Sequence, residues 1–180
     1  MLIPMDGARG FQLAILAASF YNVGAVMLAQ MSWNLWRHVG RAEFPAYHRA
    51  WFRGMMPTIW PMAALAGLGA LVQVRVRPRG VPAWAGWLGA GLQLANFGLT
   101  GAWWARWQAQ LADVRLEDGS LHPLYLRLIR THWLRVGLIA AFALLQSWMA
   151  AVASGREPRH RSVLRDDRLQ AFGARAHTGP

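Results

Sequence analysis

Residues 10–36 read GFQLAILAASFYNVGAVMLAQMSWNLW, a run without a formal charge. An α-helix rises 1.5 Å per residue, so about 20 predominantly apolar residues cross roughly 30 Å of hydrocarbon. This run is long enough. It does not alternate apolar and polar residues at period two, which argues against a strand of a membrane barrel. It also exceeds the apolar stretch of a cleavable signal, and no clear small-x-small site follows a short one. It therefore reads as a first membrane span.

Three more blocks of the same kind follow, at about 54–74, 80–105 and 124–153, the last with Arg135 near its start. Between them the chain is wet. Of the 180 residues 55% are hydrophobic and only 15% charged, against roughly a quarter charged in a soluble domain. The expected fold is all-α: an integral membrane four-helix bundle with short loops, residues 1–153, followed by a polar basic C-terminal tail, 154–180. That tail carries six arginines and is expected to be disordered or to lie on the membrane surface.

The joints set the topology. Arg75–Gly80 is a tight link with Pro78 and Gly80 as helix breakers, so helices two and three are antiparallel neighbours. The first joint, Arg37–Arg53, is longer and semi-apolar, and is expected to lie along the interface as an amphipathic segment. In the third joint Leu116–Ser120 reads as a turn, with Ser120 as the helix N-cap and Pro123 in the first turn of helix four. Pro57 and Pro61 fall early in the second block, where they can kink or open its first turns.

All 19 basic residues are Arg, and the net charge is +11. Because they flank apolar blocks, membrane lipid headgroups are the expected partners, and nucleic acid is not. The absence of Cys excludes disulfides, thiolate metal sites and cysteine nucleophiles. Most of the 11 Trp residues fall near span ends, as an aromatic belt does. Gln93, Asn22 and Asn96 read first as interhelical hydrogen-bond partners. The arginine counts on the two sides are nearly equal, so orientation stays open.

Joints one and three share one face of the membrane, and His38, His48, His122 and His132 map to it, whereas His160 and His177 lie in the tail. On helix four His122, Tyr125, Ile129, His132 and Val136 recur at helical spacing, with Arg135 one turn deeper than His132. Gln30, Asn34 and Arg37 or His38 share a face of helix one. Asn96, Thr100, Trp103 and Trp107 share a face of helix three. Convergence of these faces would enclose a polar pocket near one interface, since ionisable groups at membrane depth face the bundle interior or a wet cavity. There a His serves as a general base and Arg or Asn steadies a developing negative charge. His122 and His132 lie about 15 Å apart along a helix and cannot share a metal. No metal ligand set is assigned, and the cofactor stays open among none, haem, metal and pigment.

The stretch Gly40–Arg49, GRAEFPAYHR, and the stretch Leu128–Arg135, LIRTHWLR, together resemble bacterial members of the anthrone-oxygenase-like family of small four-helix membrane proteins. The resemblance extends over residues 10–153. Trp133 and Arg135 match the family's pattern, while His132 stands where relatives carry Asn and Val136 where they carry Thr. The resemblance implies a bacterial inner-membrane protein and an oxygenase-like oxidoreductase acting on an aromatic or quinone-like lipophile. His48 and His132 are then the candidate bases and Arg135 the stabiliser of an anionic intermediate. Asn34, Asn96, Thr100, Trp103, Trp107, Tyr125 and Trp133 are the candidate substrate-binding residues. The rival reading is a non-catalytic membrane subunit or a pigment-, haem- or quinone-binding protein, alone, as a homo-oligomer or within a larger complex. A transporter is the weakest reading, for want of an inverted repeat.

Overall fold

The computed structural model describes residues 7–154; the tail read as disordered lies outside the described residues. Helix α1 spans Gly7–Leu35 and ends in a 3₁₀ turn, Trp36–His38. Helix α2 spans Phe44–Gln73. Helix α3, Ala83–Leu99, runs through a π-helical segment, Thr100–Trp104, into the short helix α4, Ala105–Gln110. Helix α5 spans Pro123–Ser154. Four rods result, with α3, the π segment and α4 forming the third. They pack in the cyclic order α1, α2, α3, α5, so that α1 touches both α2 and α5.

The bundle is an integral membrane fold, and its inside-out polarity shows why. The α1, α2 and α5 rods each contain an 18-residue window of mean hydropathy between 1.5 and 1.9. The outward surface of the bundle is oily: Phe20, Met31, Leu68, Trp87, Leu94 and Leu144 are all more than half exposed. The polar side chains Gln12, Ser19, Asn22, Gln30, Gln73, Gln93, Asn96, His132 and Gln146 are buried instead. Water would reverse this arrangement, whereas hydrocarbon favours it, because polar groups can find partners only inside the bundle.

The first joint differs from expectation. Helix α2 begins at Phe44, so residues 44–53 form its first turns rather than a separate interfacial segment. Pro45 sits in the first turn, where its fixed φ and missing N–H cost nothing, and no helix breaker follows before Gly54. Phe44, His48 and Trp51 then share the face that packs on Trp36. The early start also places Pro57 and Pro61 in the middle of α2, not near its beginning. The N-cap of α5 differs too. His122, not Ser120, caps it, with Nδ1 accepting from the Leu124 N–H at 3.0 Å. Ser120 instead donates its hydroxyl and its backbone N–H to Asp118, closing the 116–120 turn in which Gly119 takes φ +83°.

One end of the bundle is capped by a hydrophobic cluster of Trp33, Trp36, Phe44, Trp104, Tyr125 and Leu128, into which the loop residues Leu111 and Val114 are tucked. The Tyr125 hydroxyl donates to Trp33 O at 2.8 Å, and Arg115 donates to Arg37 O at 3.0 Å. Arg41 pairs with Asp113 at 3.1 Å, joining the two loops. At the other end three helices meet through glutamines. Gln73 Nε2 donates to Gln12 Oε1 at 2.7 Å and to Gln146 Oε1 at 3.0 Å. Gln146 Nε2 returns a bond to Gln73 Oε1 at 2.9 Å, and Gln12 Nε2 donates to Gln146 Oε1 at 2.8 Å. There α3 lies so close to α2 that a Cβ on Gly86 would stand 2.8 Å from Gln73 O.

Candidate functional site

Below the aromatic cap lies a partly open cavity of about 290 Å³, walled by α1, α2, the third rod and α5. Helix α1 contributes Ser19, Asn22, Val26, Ala29 and Trp33, whose alternating spacing of three and four residues makes a single helix face. Helix α2 contributes Trp51, Phe52, Met55, Met56, Ile59 and Trp60. The opposite wall is Gln93, Asn96, Phe97 and Thr100, then Ala105 and Gln108 beyond the π segment, with Arg135 and Ile139 from α5. The walls are thus mostly aromatic, Met and aliphatic, with a few convergent polar groups, the usual make-up of a small-molecule site.

Arg135 is the charged member. Its Nη2 donates to Thr100 Oγ1 at 3.0 Å, and its guanidinium sits 4.4 Å from the centroid of the Trp104 ring. No carboxylate among the described residues pairs with it. Thr100 itself donates to Asn96 O at 2.7 Å. Four buried polar atoms of cavity-lining residues have no hydrogen-bond partner among the described residues: Arg135 Nε, Trp33 Nε1, Asn22 Oδ1 and Asn96 Oδ1. Two are donors and two are acceptors. Asn22 is held in this orientation because its Nδ2 donates to Met62 O at 3.0 Å.

The π segment positions this wall. Within it the Ala105 N–H reaches back five residues to Thr100 O, inserting one residue into the helical register. As a result Trp104 turns inward and is fully buried, and it places its ring face beneath Arg135. Trp103 turns outward and stacks on Trp107 at 6.0 Å, with Arg127 5.7 Å from the Trp107 centroid.

The structure therefore brings together three of the residues singled out from sequence, Asn96, Thr100 and Arg135, and sets the others elsewhere. Trp103 and Trp133 are exposed on the outer surface, and Trp107 is partly buried beside Trp103. Tyr125 is buried in the aromatic cap. Asn34 lies at the end of α1 and accepts from Gln30 at 3.5 Å. His132 is completely buried one turn from Arg135, with Nδ1 2.8 Å from Gln30 Oε1 and its ring 4.3 Å from that of Trp33. The amide oxygen can only accept, so Nδ1–H is the donor. His48 occupies a separate aromatic box of Trp36, Phe44 and Phe52, with centroids at 5.0 to 5.3 Å. The two histidines are separated by Trp33 and Trp36 and do not form one site. Neither lines the cavity. Among the described residues no three His, Asp or Glu side chains group so as to hold a metal ion.

Asn22, Gln93 and Trp33 join the site without having been singled out for it by sequence. Asn22 and Gln93 are isolated polar residues in charge-free blocks, which is the signal that marks them. Comparison of the chain with protein-family models, with curated proteins and with solved structures gives no match.

Proposed function

We propose that this protein holds an aromatic or quinone-like lipophile in the cavity beside Arg135, within a bacterial inner membrane. The observation that carries the reading is the make-up of its walls: aromatic, Met and aliphatic side chains around Arg135, with which no carboxylate among the described residues pairs, and Asn22, Gln93, Asn96, Thr100 and Gln108 beside it. A wholly apolar guest would offer these polar residues nothing, and a simple anion would leave the aromatic walls uncovered. A ring bearing hydroxyl and carbonyl or ether oxygens meets both, and its faces suit Trp33, Trp51 and Phe52.

Binding is favoured over turnover because no general base stands on the cavity wall. The oxygenase-like reaction is the second reading, and Arg135 favours it. A guanidinium at membrane depth stabilises the phenolate or carbanion formed when such a ligand loses a proton. The nearest candidate proton acceptor is His132, one turn along α5.

The test is equilibrium dialysis of a water-soluble hydroquinone against protein in mild detergent. Wild type is expected to bind it, and Arg135→Gln, which loses a charged hydrogen bond, is expected to bind about tenfold or more weakly. Equal binding by wild type and R135Q would refute the placement of the head. Oxygen uptake with an anthrone-like substrate, abolished in R135Q, would establish the catalytic reading.

A further inference from the structure

A second cavity of about 300 Å³ adjoins the first. The two share Trp60, Gln93 and Phe97, so they meet at these three side chains. The second runs along the α2/α3 seam past Ala64, Leu68 and Leu94 to Leu71. From Trp60 to Leu71 the seam extends about 16 Å along α2. Its only polar lining residue besides Trp60 is Gln93. The Trp60 N–H is already committed to Met56 Sδ, so its indole presents an apolar surface. Leu68, Leu71 and Leu94 on the rim are 65%, 45% and 61% exposed, which in this fold means exposed to lipid.

We infer that the ligand is a long-chain amphiphile: its polar ring occupies the Arg135 cavity while its apolar chain lies in the α2/α3 groove, open sideways to the bilayer. This rests on the reading of the head site given above. The two chemistries are separated in space as they are in such a molecule, with Asn22, Asn96, Thr100 and Arg135 lining the first cavity and the apolar Ala64, Gly67, Leu68, Leu71 and Leu94 lining the groove. Gly67 lets the Phe97 ring lie against α2, since a Cβ there would stand 2.5 Å from it. A chain already in the bilayer reaches this groove without crossing water, so the ring slides in with its tail still solvated by lipid.

The experiment compares hydroquinones carrying no chain, a short prenyl chain and a long prenyl chain, binding to the full-length protein in nanodiscs. Ala64→Phe fills the groove from α2. Leu94→Trp narrows it from the rim of α3, on a lipid-facing position that leaves the packing intact and so guards against a folding defect in A64F. The ratio of variant to wild-type affinity is taken at each chain length, which cancels partitioning into lipid. The expected result is a ratio near one for the chainless compound and a loss of about tenfold for the long-chain one. A ratio that is the same at every chain length overturns the tail assignment while the head site stands, and marks the groove as a place for bilayer acyl chains. Failure of wild type to bind even the chainless compound overturns both.

Discussion

Replacing Gln73 by Met tests whether the glutamine cluster clasps the bundle. Met nearly matches Gln in size and flexibility, so the change removes hydrogen bonds while leaving little cavity. Gln73 takes part in three of the cluster's bonds, at 2.7, 3.0 and 2.9 Å. Side-chain hydrogen bonds between membrane helices average about 0.6 kcal/mol each, which sets the loss near 2 kcal/mol. The orphans raise it. Without Gln73 the Gln12 Oε1 loses the donor seen in the structure, and Gln146 Nε2 loses its acceptor. Each unsatisfied buried group adds about 1 kcal/mol or more, so Q73M is expected to cost about 2–4 kcal/mol. The triple variant Q12M/Q73M/Q146M removes the partners together with the orphans and is expected to recover most of that loss. Reversible unfolding in mixed detergent and SDS measures both. A Q73M protein within about 0.5 kcal/mol of wild type, the scatter of an ordinary surface change, would refute the clasp. So would a triple variant that loses the sum of the three single changes, because it would mean the glutamines act by packing alone.

Gly86→Ala should destabilise by about 1–3 kcal/mol in the same assay, since the new Cβ would press on the backbone of Gln73 and Val74, which cannot swing aside as a side chain can; a neutral change would show that α2 and α3 can separate freely there. Tyr125→Phe should cost about 1 kcal/mol through loss of the bond to Trp33 O, and an unchanged unfolding midpoint would show that the hydroxyl is dispensable to the cap. The Asp118 carboxyl is held below its ordinary value by the Ser120 hydroxyl and then by the Ser120 N–H. Its support for the turn is therefore fully present above the unfolded carboxylate value and fades as pH falls through the lower folded value. An NMR titration of the Ser120 amide should report that lowered midpoint, and a midpoint at or above the ordinary carboxylate value would refute it.

Three of the four expected spans, those of α1, α2 and α5, are long and apolar enough to cross a membrane, and they were legible because insertion depends on hydropathy summed over some twenty residues, which single substitutions hardly disturb. The start of α2 was not. His48, Arg49 and Arg53 make residues 44–53 look wet, yet a helix needs only the absence of breakers and one apolar face, which Phe44, His48 and Trp51 supply. Asn96, Thr100 and Arg135 were legible as a convergent set through helical periodicity. The same periodicity carried Trp103 and Trp107 onto the inner face of helix three, and there it failed for a definite reason. The π segment adds one residue to the turn, so Trp104 and Gln108 face inward in their place. Nothing in local propensity marks that insertion; it follows from how Trp104 packs between Thr131, His132 and Arg135. The glutamine cluster escaped notice because its members are far apart in sequence, although topology places all three at the same end of the bundle.

The position of the cavity follows from two backbone irregularities that lie opposite one another. In α2, Pro57 and Pro61 lack the N–H groups that would bond the carbonyls of Arg53 and Pro57. In the third rod, residues 100–104 are π-helical. The antiparallel register of the two rods is fixed by the approach of Gly86 to Gln73 and of Gly67 to Phe97. Continued from there, it brings the prolines level with the π segment, and Trp60 to within 6.4 Å of Phe97. Irregular backbone at membrane depth is tolerated where it is buried in protein or lines a cavity. Here both irregular segments line the same one. Side chains of α1 bond to the proline-bearing stretch of α2, with Tyr21 donating to Thr58 O at 2.9 Å and Asn22 to Met62 O at 3.0 Å. Asn22 also lines the cavity. Thus a side chain that helps to hold the proline-bearing stretch is also part of the cavity wall, so support of the fold and preparation of the site are carried by the same residue.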